Sequence, residues 1–225
     1  MPVKTLRKLQ ELFPNTDLHN FFGLTETISA THVLNAQEVV ERPDSIGKLL
    51  PFVDAIILNE NGALCAANEI GELLFARENV ISTYWNNDAL LREALHEYRS
   101  RIWFRTGDLA MQDEEGFFFI KGRKKDMIIV GGENVFSAEV ENVLLNMPGI
   151  REVAVKGIPA TGIRESLGEL IKAYIVLEDN STVNEMIVKR YCHQNLPSYK
   201  IPHEIKFLPE LPRNPSGKIM KNELD

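Results

Sequence analysis

Between residues 45 and 120 the chain carries no sustained helical periodicity, and this limits its fold more than any other feature. "SIGKLL", "VDAIILN", "IGELLFA", "FRTGDLAMQ" and "GFFFIKG" are short apolar or alternating runs. Turn chemistry separates several of them, as "NENG" at 59–62 and "DEEG" at 113–116. Such runs pair as hairpins more readily than they pack as helices. They predict a small antiparallel β unit, a barrel or a sandwich. One helix interrupts it over "NDALLREALHEY" (87–98), capped by Asn87 or Asp88.

Different patterns flank this unit. Upstream, Val3, Leu6, Leu9 or Gln10, and Phe13 fall near helical spacing and Pro14 stops the run, so 3–13 reads as an amphipathic helix; "DLHNFF" follows as a strand. Downstream of 126, "MIIVGG" reads as a strand and "SAEVENVLLNM" (137–147) as a helix capped by Ser137, with Glu139 suiting the helix dipole. "IREVAVKGI", "ELIKAYIVLE" and "HEIKFL" read as strands. Residues 182–196 read as a helix with Val183, Met186, Ile187 and Tyr191 on one face. The fold class is therefore α+β, with an antiparallel β unit followed by an α+β unit of about a hundred residues, a usual domain size, and "KGRKKD" between them.

At 225 residues the chain can bury one large core or two small ones. Lys plus Arg is 25 and Asp plus Glu is 32, a formal charge of −7. That balance lacks the footprint of a general nucleic-acid binder and opposes docking on anionic lipid. No apolar run approaches the ~20 residues of a membrane span, and the N-terminus has no hydrophobic signal core. Cys65 and Cys192 lack metal-ligand spacing and read as reduced thiols of a cytoplasmic protein.

Four stretches stand out chemically. "FFGLTET" (21–27) combines aromatic, hydroxyl and carboxylate groups suited to a nucleotide phosphate and its metal ion. In "WFRTGDLA" (103–110), Asp108 could accept hydrogen bonds from two vicinal hydroxyls; by itself it reads as a turn or bulge residue. "KGRKKDMIIVGGENVFSAEVE" (121–141) reads as a solvated linker and tight turn, or as a hinge followed by a loop whose Gly131 and Gly132 let a ligand approach the main chain. "PRNPSGK" reads as a frayed terminus or as a loop presenting Lys218 to a carboxylate or phosphate. Neither GxxxxGK[ST] nor GxGxxG occurs.

In this order the four stretches resemble the adenylate-forming superfamily: AMP-forming acyl-CoA synthetases, adenylation domains of peptide synthetases, and firefly luciferase. The resemblance runs from about residue 18 to the end, and the wording of "GGENVFSAEVE" and "PSGKIMKNEL" is most like the acyl-CoA synthetases. It implies that residues 1–122 form the C-terminal part of a large adenylation domain, ending in its β-barrel. Residues 123–225 are then a mobile C-terminal domain with its hinge at 123–126. The family's phosphate loop and acyl pocket have no counterpart here, so the resemblance implies a fragment with little or no turnover alone.

The implied reaction joins a carboxylic acid of the fatty-acid class to ATP with release of pyrophosphate, and then transfers the acyl group to CoA. The resemblance places Phe22, where the family usually has tyrosine, and Gly23 against adenine. Thr25 falls on the α-phosphate and Glu26 on Mg²⁺. It assigns Asp108 and Arg123 to the ribose, Lys125 to the hinge, Gly131 and Gly132 to the pantetheine path, and Lys218 to the reacting carboxylate and α-phosphate. ATP or AMP, Mg²⁺ and CoA are the implied cofactors. Ser137 stands where many relatives have proline, and Leu167 where many acyl-CoA synthetases have tryptophan. Two alternatives accompany this reading. The acceptor thiol could belong to a carrier protein, or the chain could be a non-catalytic AMP-binding or partner-docking module. The first helix is expected to be mobile, swapped or covered by another copy or a complementing chain.

Overall fold

The computed structural model describes residues 3–225. The chain divides into two compact units, Met1–Lys124 and Lys125–Asp225.

The first unit opens with α1 (Val3–Leu12) and the hairpin β1 (Asn20–Gly23) and β2 (Ala30–Leu34). A short helix α2 (Ala36–Glu41) follows, closed by a reciprocal capping box between Asn35 and Glu38. β3 (Lys48–Leu49) then completes an antiparallel sheet in the order β1-β2-β3. The expectation for α1 needs correction. Leu6 is buried in its own unit, with Leu34, Val39, Phe117 and Phe119, although Leu12 and Phe13 remain exposed.

The β unit consists of β4 (Ala55–Leu58), β5 (Gly71–Ala76), β6 (Leu95–Tyr98), β7 (Arg101–Gln112) and β8 (Phe118–Arg123), all paired antiparallel. The twelve-residue β7 organises it. β5 lies along one edge of β7, while β6 and β8 share the other, β6 on its first half and β8 on its second. The sheet curls around a core of Ile57, Leu73, Phe75, Phe104, Ala110 and Phe118.

The helix expected over 87–98 is halved. α3 spans Asp88–Glu93, capped by the Asn87 side chain on the Leu90 amide, and residues 95–98 form β6. Arg99 and Ser100 both have positive φ and make a two-residue turn that returns β6 onto β7. The ladder to β7 outweighs the helical propensity of "EALHEY".

In the second unit β9 (Met127–Val130) and β10 (Glu133–Phe136) form a hairpin, followed by α4 (Ser137–Leu145). β11 (Ile150–Pro159) and β12 (Glu169–Leu177) pair antiparallel, α5 (Glu185–Asn195) crosses over, and β13 (Glu204–Phe207) joins β12 in parallel. Alternation along these strands builds two cores. Val153, Val155, Ile171, Ala173 and Ile175 face α4 and α5, while Ala154, Tyr174 and Val176 meet Leu211 and Leu224.

Three local expectations change here. β10 occupies what read as the approach to a helix. Ser137 does not cap α4, because Phe136 holds the cap position without a side-chain bond; Ser137 is buried and its hydroxyl accepts from Lys221 Nζ at 2.9 Å. The buried stripe of α5 is Val188 and Cys192, whereas Met186 and Ile187 are exposed. Among the described residues no helix is long and apolar enough to cross a membrane.

Candidate functional site

In the first unit the β1–β2 hairpin sets Phe22 opposite His32, with ring centroids 5.7 Å apart, edge to face. His32 is fully buried among Phe22, Phe75 and Phe118, its Nδ1 3.0 Å from Thr31 Oγ1 and its Nε2 unpartnered. Burial lowers its pKa to about 3, so the ring is neutral. Gly23 has a reason to be glycine that needs no ligand: a Cβ there would lie 2.4 Å from the Ser29 carbonyl oxygen, where the hairpin closes.

The loop after β1 is tied by Thr27. Its hydroxyl accepts from the Leu24 amide at 2.9 Å and lies within bonding distance of the Leu24 and Ser29 carbonyls. Thr25 is exposed on this loop. Glu26 is half-buried; its Oε1 accepts from the Tyr84 hydroxyl at 2.5 Å and its carbonyl from the Ile81 amide at 2.8 Å. Burial, together with the Glu26 carboxylate, pushes the Tyr84 phenol up to about 12.

Asp108 sits in a β-bulge. Leu74 pairs with Arg105 and Glu72 with Leu109, so Thr106, Gly107 and Asp108 together face Leu73 alone. Gly107 has φ +72, the Thr106 hydroxyl donates to the Leu73 carbonyl at 2.7 Å, and the Asp108 amide donates back to that hydroxyl at 2.9 Å. Bulges re-aim side chains in this way. Across the β7–β8 ladder Asp108 opposes Arg123, whose Nε lies 2.7 Å from Asp108 Oδ1 and whose Nη1 donates to the Thr106 carbonyl at 2.9 Å. Arg123 thus holds both the carboxylate and the bulge. Nearby in the sheet, buried Glu72 accepts from Arg105 at 2.6 Å and Lys124 at 3.1 Å. Burial pushes the Glu72 carboxyl up, and these two cations return it to below its ordinary value.

In the second unit Lys125 is exposed in a 3-10 turn at 124–126. Gly131 and Gly132, at φ +60 and +87, form the two-residue turn of the β9–β10 hairpin, a conformation that favours glycine at both positions. The segment holding Leu167 braces this turn. The Gly131 amide donates to the Leu167 carbonyl at 2.8 Å, and Glu169 accepts from the Ile129 amide at 2.8 Å. The turn walls a cleft of about 620 Å³ that Arg164, Lys189, His193, Tyr199 and His203 also line. Lys218 is exposed at the end of a tight turn, not a frayed terminus. The Asn214 side chain accepts the Lys218 amide at 2.8 Å, and Arg213 donates to the Gly217 carbonyl and to Glu152, both at 2.6 Å.

Within the first unit, then, Asp108 and Arg123 come into direct contact. In the second, no hydrogen bond or ion pair among the described residues joins Lys125, the glycine turn and Lys218. Tyr84, His32 and the Thr27 clasp were missed by sequence reasoning, because their partners are remote in sequence or are backbone groups. Among the described residues no cluster of three His, Cys, Asp or Glu side chains could enclose a metal. Glu26 by itself fits Mg²⁺, which keeps several waters and takes one or two carboxylates together with substrate phosphates.

Residues 1–85 match the family described as AMP-binding enzyme, and residues 139–218 match AMP-binding enzyme C-terminal domain. The chain belongs to the adenylate-forming, AMP-binding enzyme family. It is similar to the long-chain-fatty-acid–CoA ligase FadD13 of Mycobacterium tuberculosis (strain ATCC 25618 / H37Rv), 37% identical over 93% of this chain and 40% of that protein. It is also similar to the 2-succinylbenzoate–CoA ligase of Bacillus licheniformis, 36% identical over 90% of this chain and 40% of that one. In structure it resembles the o-succinylbenzoate CoA synthetase MenE from Bacillus subtilis in complex with its acyl-adenylate intermediate. That likeness has a TM-score of 0.86 at 33% identity, covering 99% of this chain and 43% of that one. The chain therefore spans well under half the length of these relatives.

Proposed function

We propose that this chain furnishes the adenosine-binding and thiol-facing part of an AMP-forming acyl-CoA ligase acting on a carboxylic acid of the fatty-acid class. In the first half-reaction a carboxylate oxygen attacks the α-phosphorus of ATP and pyrophosphate leaves. In the second, the CoA sulfur attacks the acyl carbon, AMP leaves with the bonding electrons, and the thiol proton passes to solvent.

The observation that carries this reading is the Asp108–Arg123 pair. A bulge aims a buried carboxylate, and an arginine fixes its rotamer. A carboxylate so held is preorganised to accept hydrogen bonds from the ribose hydroxyls. Phe22 offers an aromatic face to adenine, and the ring stacks without the hydroxyl that a tyrosine would add. Thr25 donates to the α-phosphate from its exposed position on the loop. Glu26 would hold the Mg²⁺ ion, which when bound would offset negative charge on the nucleotide phosphates. Lys218 bridges the attacking carboxylate and the α-phosphate, and its ammonium opposes the charge that develops during transfer. Lys125 serves as the hinge between the two half-reactions. The Gly131–Gly132 turn admits pantetheine, and Arg164 and Lys189 in the adjoining cleft suit the phosphates of CoA. A cytoplasmic setting, where ATP and CoA are present, belongs to the same reading.

The test is acyl-dependent exchange of pyrophosphate into ATP, run beside AMP binding by calorimetry. We expect the chain alone to bind AMP and to give no exchange with any acid from acetate to long fatty acids. Exchange above background would overturn the expectation that the phosphate-gripping machinery lies elsewhere. A folded sample that binds no AMP would overturn the adenosine site itself.

A further inference from the structure

The segment between β5 and α3 has no part in the reaction as derived above, yet it grips Glu26 twice. The Ile81 amide donates to the Glu26 carbonyl at 2.8 Å, and the Tyr84 hydroxyl donates to Glu26 Oε1 at 2.5 Å. Residues 81 and 84 lie more than fifty positions from residue 26, so this is a tertiary arrangement and not a local turn. The segment is itself held. Arg77 Nη1 donates to the Val80 and Ile81 carbonyls at 3.2 and 2.9 Å, and Nη2 donates to the Ser82 carbonyl at 3.0 Å. Among the described residues Arg77 has no carboxylate partner, so its donors go to three successive carbonyls. Val80 is buried, and Ile81 and Tyr84 pack on the same core of the β unit.

We propose that Tyr84 is a positioning residue for the Glu26 carboxylate, and that Arg77 stiffens the loop that carries it. A glutamate side chain has three rotatable bonds and loses much freedom when it is ordered. Tyr84 fixes the carboxylate through one oxygen. Oε2 accepts nothing from the described residues and is left for a cation. The order of dependence is Arg77 to the 80–82 carbonyls, then Tyr84 and Ile81 to Glu26, and then the metal–nucleotide. This inference rests on the reading of Glu26 as the metal-ligating carboxylate.

The experiment has two arms, both on the whole chain. The first needs no ligand: urea midpoints of the wild type, Glu26→Ala, Tyr84→Phe and the double variant. Non-additive midpoints are expected, because one hydrogen bond joins the two side chains. Additive midpoints would overturn the proposal. The second arm measures Mn²⁺ binding in the presence of ATP by electron paramagnetic resonance, and ATP binding without metal by calorimetry. Tyr84→Phe should weaken Mn²⁺ about tenfold, the lower range for losing an outer-shell partner, and leave metal-free ATP affinity unchanged. Arg77→Ala should weaken Mn²⁺ in the same selective way. A merely structural Tyr84 would leave Mn²⁺ affinity alone or lower both affinities together, and either result overturns the proposal. If the wild type binds ATP but gains no Mn²⁺ site, the metal role of Glu26 fails and the inference fails with it. If Glu26→Ala abolishes the Mn²⁺ site while Tyr84→Phe binds normally, the metal role stands and the inference alone falls.

Discussion

His32 should make the first unit acid-sensitive by an amount that can be calculated. The ring is fully buried among three phenyl groups, and burial alone lowers its pKa from 6.5 to about 3. The unfolded chain therefore takes up this proton first as pH falls. The stability contributed by the neutral ring is complete above pH 6.5 and is lost progressively between pH 6.5 and 3. At pH 4.5 the unfolded histidine is almost fully protonated and the folded one is not. Two pH units at 1.36 kcal/mol each give a loss of about 2.7 kcal/mol relative to neutral pH. Other groups titrate in the same window, so the comparison is with His32→Gln, which cannot titrate. Both tryptophans, Trp85 and Trp103, lie in the first unit, so their emission during urea unfolding reports on that unit. Between pH 7 and 4.5 the wild type should lose about 2.7 kcal/mol more than the variant. Equal losses would show that the native ring is hydrated or already charged, and the burial argument would be refuted.

Three further outcomes are expected. Asp108→Ala removes a buried carboxylate and leaves Arg123 without its ion-pair partner; calorimetry should show AMP affinity falling about tenfold or more, as expected for a lost charged hydrogen bond. Gly23→Ala drives a methyl group into the Ser29 carbonyl, and the thermal midpoint should report a loss of about 1–3 kcal/mol, typical of overpacking; an unchanged midpoint would mean the hairpin yields freely. Burial raises the thiol pKa of both Cys65 and Cys192 to about 11. At pH 8 the thiolate fraction is then about two hundredfold below that of a free cysteine, so alkylation of the native chain should be slowed in proportion, and a faster thiol would refute its burial.

The sheet strands were legible because their apolar alternation is dense and their turns carry Asn, Asp and Gly. Strands β11 and β12 are examples: Val153, Val155, Ile171 and Ile175 declare a buried face without help from the rest of the chain. The helix predicted over 87–98 failed beyond Glu93, because a helical pattern cannot register the β6–β7 ladder, whose partners lie three to nine residues apart. Ser137 has the composition of a cap, but its hydroxyl is taken by Lys221, eighty-four positions away.

The candidate site divides along the same physical line. The residue types and order of "FFGLTET", "WFRTGDLA", "IIVGGENVF" and "PSGK" follow from sequence, as does the need for glycine at the 131–132 turn, because that need comes from local backbone dihedrals. Tertiary structure alone decided that Thr106 and Gly107 form a bulge that turns Asp108 toward Arg123. It also decided that Tyr84 reaches Glu26, and that a histidine can sit neutral beneath Phe22. Each of these rests on a hydrogen bond or a desolvation between groups distant in the chain. Their energies are set by geometry in space, which no short window of sequence contains.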